Sequence, residues 1–158
     1  LQQLVDVACR ALSPSNNDTT TALHALDHLT VLLSLLARRN LCAGRFIRRE
    51  GRVVLECVRP DFADFARLVA VPFRRQARAE PLLLQRLVSS LHSVGAATSD
   101  ARQLATVVEH LRELEETLRM ANFERSDATA IEATLAEATR GLRALSYERQ
   151  TGNERIMG

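Results

Sequence analysis

The sequence predicts a mainly α chain, an irregular bundle of about six helices with a small β-hairpin near residues 45–58. Three observations carry this. Apolar residues recur at i, i+3 and i+4 in six stretches, the spacing that gathers them on one helix face. Aromatics are 4% of the chain and Trp is absent, so the core lacks the residues that strands draw on. The period drops to two only between Arg45 and Val58. A length of 158 residues suits one core rather than two. The expected division is a single helical domain over 1–145 and a frayed polar tail over 146–158.

Leu1, Leu4, Val5, Ala8 and Leu12 mark the first helix. It ends at Ser13-Pro14, because the residue before a proline avoids the α region. Ser13 to Asp18 is a run of turn formers, and Asp18 is a good N-cap for the next helix, about Thr19–Arg39. There Ala22, Ala25, Leu26, Leu29, Leu32, Leu33 and Leu36 form a wide apolar face, with Leu23, Val31 and Leu35 outside it. So broad a stripe predicts a central helix or one at an oligomer interface. Phe46-Ile47, Glu50-Gly51 and Val53-Val54-Leu55 predict two strands about a turn. Such a hairpin is marginal alone and is expected to pack on the helices.

Pro60-Asp61 opens a third helix carrying Phe62, Phe65, Ala66, Val69 and Phe73, which Pro72 is expected to kink or split. Pro81 suits the first position of a fourth, with Leu84, Leu87, Val88, Leu91 and Val94 running to Gly95. Ser99 or Asp100 caps a fifth, built on Leu104, Val107, Leu111, Leu114 and Leu118. Ser126 or Asp127 caps a sixth, with Ile131, Leu135, Ala138, Leu142 and Leu145.

All 21 basic residues are arginine. The net charge of +2 and the lack of an aromatic stacking set argue against nucleic-acid binding. The charge is uneven: Arg38 to Arg86 holds twelve arginines against five acids. That segment suits anionic lipid or an acidic partner, or else is a solvated face balancing acidic ones elsewhere. Cys9, Cys42 and Cys57 have no disulfide-framework spacing, which points to a reducing compartment and to burial as small apolar groups. The longest apolar stretch, Thr30–Ala37, falls short of the ~20 residues of a membrane span. The chain starts inside a helical pattern, as a fragment of a longer protein does.

Two constellations suggest chemistry. His24 and His28 share a helix face at i, i+4 with Asp27 between them, an arrangement that can grip zinc. It lacks a clear third ligand, and the bland reading is two polar residues on a helix edge. Ser13, Asn17 and Asp18 precede a helix N-terminus whose free N–H groups suit an anion. Asp18 opposes an anion there, and the same residues make an ordinary capping turn. Glu109, Glu113 and Glu116 read as a solvated face, and no cofactor is implied.

Leu1-Gln2-Gln3-Leu4-Val5-Asp6-Val7-Ala8, with Arg10-Ala11-Leu12-Ser13-Pro14, resembles the hallmark segment of a bacterial family of predicted membrane proteins of unknown function. The likeness continues through Asn17-Asp18, Thr21-Ala22, Leu26-Asp27, Leu36-Ala37-Arg38-Arg39, Gly51-Arg52-Val53 and Arg59-Pro60-Asp61-Phe62. It fades beyond Gly95. The family turn reads Ser-Pro-Gly-Ile-Asn-Asp, so Ser15-Asn16 departs from it, and His24 and His28 are not typical of the family. The resemblance implies a multi-span region N-terminal to this segment, an inner-membrane location, and no known activity.

The expected function is therefore a cytoplasmic domain of an integral membrane protein, acting in assembly or regulation without catalysis. Its expected partners are copies of itself, its own membrane region, and lipid or acid at Arg38–Arg86. The alternative is a metal-dependent enzyme or ligand-binding domain centred on Ser13–Asp18 and on His24, Asp27 and His28.

Overall fold

The computed structural model describes the backbone of residues 1–39, 41, 44–49 and 52–154, and the side chains of 1–39, 41 and 59–147. The helices are α1 (Gln2–Ala11), α2 (Thr19–Ala37), α3 (Phe62–Gln76), α4 (Pro81–Ala97), α5 (Ala101–Met120) and α6 (Arg125–Glu154). Helix α4 is the hub. It packs on α2 along one side, on α5 and α6 along the other, and more lightly on α3, while α1 lies on α2 and α3. Leu83, Leu84, Leu87, Val88, Leu91 and Val94 of α4 are all buried, and a polar stripe through Arg86 and Ser93 stays exposed.

Capping side chains set the helix starts. Asp18 accepts from the Thr21 N–H (3.0 Å) at α2. Asp61 and Asp64 form a reciprocal capping box at α3. Asp100 accepts from the Arg102 and Gln103 N–H groups at α5 (2.7 and 3.1 Å). Pro81 takes the first turn of α4, where no N–H is needed. Pro72 does not split α3, which runs through it to Gln76. Ser126 and Asp127 lie inside the first turn of α6 rather than at its cap.

The fold-class expectation needs correction on the β-hairpin near residues 45–58. The body of the molecule is six helices with no sheet in it. The intervening segment runs as strands β1 (Gly44–Arg49) and β2 (Arg52–Val58), which pair antiparallel with each other. They add no layer to the helical body, whose principal contacts are all between helices. A period-two pattern is a local signal that shows which strands pair. Docking depends on which apolar helix faces are left open, and α3 and α4 spend theirs on one another and on α1, α2, α5 and α6, while α2 keeps Val31, Leu32 and Leu35 exposed. The expected turn at Glu50-Gly51 lies outside the described residues, as do the side chains of Cys42 and Cys57.

A small polar knot closes the top of the body. Buried Thr98 donates its hydroxyl to Gln103 Oε1 (2.7 Å) and accepts from the Asp100 N–H (3.1 Å). Gln103 Nε2 donates in turn to the Arg39 carbonyl (3.3 Å). The end of α2 is thereby tied to the start of α5, which places α2 and α4 side by side and pointing the same way.

Candidate functional site

The residues singled out from sequence fall in three separate places. The first is the α1–α2 turn. Its donors and acceptors are largely spent on closing the two helices. Asn16 Nδ2 donates to the Arg10 carbonyl (3.1 Å), and the Asp18 N–H donates to the Ala11 carbonyl (2.8 Å), so both cap the end of α1. The Asn16 and Asn17 N–H groups both donate to the Ser13 carbonyl. Asn17 sits at φ 43°, the left-handed region that asparagine tolerates better than most residues. Asp18 accepts a second bond from the Thr21 hydroxyl (2.6 Å), and Thr21 holds its carboxyl below the usual range.

Beside the turn is a shallow concavity of about 450 Å3 reaching Val7, Arg10 and Thr21. Ser13 and Asn17 do not line it, whereas Asp18 does. Replacing Asn17 by Gly is expected to leave stability unchanged or raise it slightly. Asn17→Val should cost about 1 kcal/mol or more in a thermal melt, because a β-branched side chain strains this backbone.

The second place is the outer side of α2. His24 and His28 are both exposed there. Asp27 does not join them. It turns to α4, where Arg86 Nε and Nη2 meet its two oxygens at 3.2 and 3.3 Å. The fork is half exposed, so its contribution is at most about 1 kcal/mol. Asp27 also lies nine residues beyond Asp18, about 13 Å along the helix. His24 is nearer and its charge helps lower the Asp18 carboxyl, but none of His24, Asp27 and His28 lines the concavity beside the turn. Among the described residues no three or more His, Cys, Asp or Glu side chains are grouped to hold a metal ion.

Farther along the same outer side, the helix becomes apolar. Val31, Leu32 and Leu35 are 59%, 38% and 52% exposed, and Arg38 and Arg39 follow directly. The opposite side is core: Ala22, Ala25, Leu26, Leu29, Leu33 and Ala37 are buried. By length and composition α2 is apolar enough to cross a membrane. Counting only Thr30–Ala37 as its apolar stretch missed this, because the alanines and leucines ahead of Thr30 extend it. A core helix of a soluble protein passes the same test, and here the buried side packs on α1 and α4.

The third place was read from sequence as a solvated acidic face. Glu113 is instead held by Arg74 of α3 and by nearly buried His110, whose Nδ1 lies 2.9 Å from the same oxygen, Oε2. Burial pushes the Glu113 carboxyl up. The hydrogen bonds from His110 and Arg74, with the charge of Arg74, outweigh that and hold it below its ordinary value of 4.5. A carboxyl with a depressed folded pKa stabilises the fold above its ordinary pKa, and that contribution is lost as pH falls through the folded value. Stability should therefore drop as the pH is taken below about 4.5. Glu113→Gln should flatten part of that drop in melts run across the acid range, at a neutral-pH cost of about 1 kcal/mol. Unaltered acid sensitivity in the variant would remove Glu113 from the account. The i, i+3 spacing of His110 and Glu113 was visible in sequence; the arrival of Arg74 was not.

Cys9 is a free, half-buried thiol, pushed up by burial and by Asp6, and has none of the electropositive surroundings of a nucleophile.

The body is helical, with one strongly apolar, partly exposed helix, α2. The chain belongs to the family described as "Predicted membrane protein (DUF2254)", whose model matches residues 1–93. It is similar to uncharacterized proteins of Mycobacterium tuberculosis (Rv1290c) and Mycobacterium bovis (Mb1321c). Each is 30% identical over 139 residues, covering 88% of this chain and 27% of the relative. The chain thus spans about a quarter of the length of the curated relatives it matches. No solved structure matches it.

Proposed function

We propose that this chain is a membrane-proximal, cytoplasmic domain of a longer inner-membrane protein, docking at the membrane surface in assembly and performing no catalysis. The observation that carries the reading is the outer side of α2, where exposed Val31, Leu32 and Leu35 lead into Arg38 and Arg39. Apolar side chains beside guanidinium groups suit the headgroup boundary, where arginine stems lie along apolar surface and their heads stay wet. Each basic residue near an anionic leaflet adds about 1 kcal/mol of attraction. The arginine-rich run from Arg38 to Arg86 supplies that charge in the same part of the chain. Membership of a membrane-protein family supports the setting.

The test is co-sedimentation of the chain with vesicles at low salt. Anionic vesicles should retain it and neutral ones should not. The double change Val31→Ser, Leu35→Ser should weaken retention at least ~10-fold, a loss of about 1.4 kcal/mol. Chain that stays in the supernatant with anionic vesicles sinks the reading. If the chain instead forms a dimer that the same double change dissociates, the α2 face belongs to a second copy and not to lipid.

A further inference from the structure

The trench between α5 and α6 has no part in the reading above. We infer that it is a binding site for an anionic amphiphile, an acyl chain with a carboxylate or phosphate head. The cavity measures about 620 Å3, within the ~300–1,000 Å3 of small-ligand clefts. Its floor is Leu118 and Leu135, which are nearly buried, and its α6 wall is low because Ala128 and Ala136 stand where larger side chains would close it. Ala128 to Arg140 is twelve residues on one helix, about 18 Å of trench. A long slot over aliphatic side chains, with no aromatic in its lining, suits an alkyl chain better than a flat ring system.

Charge gives the slot a direction. At one end Arg119 is neutralised by Glu115 (2.6 Å), and Glu132 stands nearby. At the other end are Arg140 and Arg143, neighbours at i, i+3 on α6. Among the described residues no carboxylate lies within ion-pair distance of either. Two guanidinium groups without an acid partner among the described residues, at the mouth of a largely apolar slot, favour an anionic head at that end. The tail then runs over Ala136 and Leu135 toward Leu118, passing Glu132 with no charge of its own to be repelled.

The probe is decanoate, titrated calorimetrically into the chain, with decanol as the uncharged control. Decanoate should bind at one site and decanol at least ~10-fold more weakly. Arg140→Gln with Arg143→Gln should reduce decanoate binding by a similar factor. Ala136→Phe, at an exposed position, should fill the slot and abolish binding while the melting temperature holds. Absence of decanoate binding, together with vesicle retention indifferent to Arg140→Gln and Arg143→Gln, overturns the site. So does decanoate binding that neither the arginine changes nor Ala136→Phe affects. Vesicle retention that falls with the arginine pair and with Ala136→Phe, without free decanoate binding, assigns the anion to a bilayer headgroup. The two readings fail separately: Val31→Ser, Leu35→Ser tests membrane docking and leaves this trench untouched.

Discussion

Leu29→Ala is expected to destabilise the chain by about 2–5 kcal/mol, and Leu35→Ala by less than about 0.5 kcal/mol. Both leucines are on α2, six residues apart, and both belong to its long apolar run. Leu29 has no exposed surface, whereas Leu35 is 52% exposed. Truncating Leu29 opens a cavity among side chains that α1 and α4 hold in place, so the loss combines transfer and cavity terms. Truncating Leu35 removes surface that water already reaches. Urea unfolding followed by far-UV circular dichroism gives both numbers. The contrast bears on what α2 is for, since its composition alone would also fit a membrane span. A large loss at Leu29 and almost none at Leu35 makes α2 a body helix with a spare apolar face. Small, equal losses would mean that α2 is not seated in this body, and membrane docking through Leu35 would lose its basis.

The helical body was legible because its signals are local. Pro14 with Asp18, Pro60 with Asp61, Pro81 and Asp100 each mark a boundary through steric or capping effects that act within a few residues. The apolar positions of α4 and α5 repeat at helical spacing, and nearly all of them are buried. What stayed hidden depends on which faces meet. Asp27 looked like a companion of His24 and His28, but Arg86, far along the chain, takes it. Glu113 looked like its neighbours Glu109 and Glu116 until α3 delivered Arg74. The strands at Gly44–Arg49 and Arg52–Val58 pair with each other, while the body's principal contacts run between helices. The α1–α2 turn was legible as a capping turn, and the same bonds that make it one leave few free donors for an anion. The α5–α6 trench carried no motif: Ala128 and Ala136 matter there by being small, which no spacing rule flags.

Leu142→Ala should also cost about 2–5 kcal/mol, and unlike the Leu29 change it should be partly rescued by a second substitution, Gly95→Ala. Gly95 lies near the end of α4, where α5 and α6 close on it. A Cβ added there would stand 2.8 Å from both δ carbons of Leu142 and 3.2 Å from Val107 Cγ1. Leu142 and Val107 are fully buried, so neither can move aside into solvent. Gly95→Ala alone gains about 1 kcal/mol of helix propensity but meets overpacking of about 1–3 kcal/mol, for a net loss near 1 kcal/mol. With Leu142 cut back to alanine the clash with its δ carbons disappears, and the new methyl occupies part of the vacated space. The double variant should then be more stable than the sum of the two singles predicts by at least ~1 kcal/mol, a coupling expected only of residues in contact. Gly141 provides the control. The atoms nearest a Cβ there are those of the His92 ring, which is partly exposed and can rotate away, so Gly141→Ala should be neutral or slightly stabilising. Strict additivity between positions 95 and 142 would show that α4 and α6 do not approach as closely as this packing requires, and the trench between α5 and α6 would have to be redrawn with them.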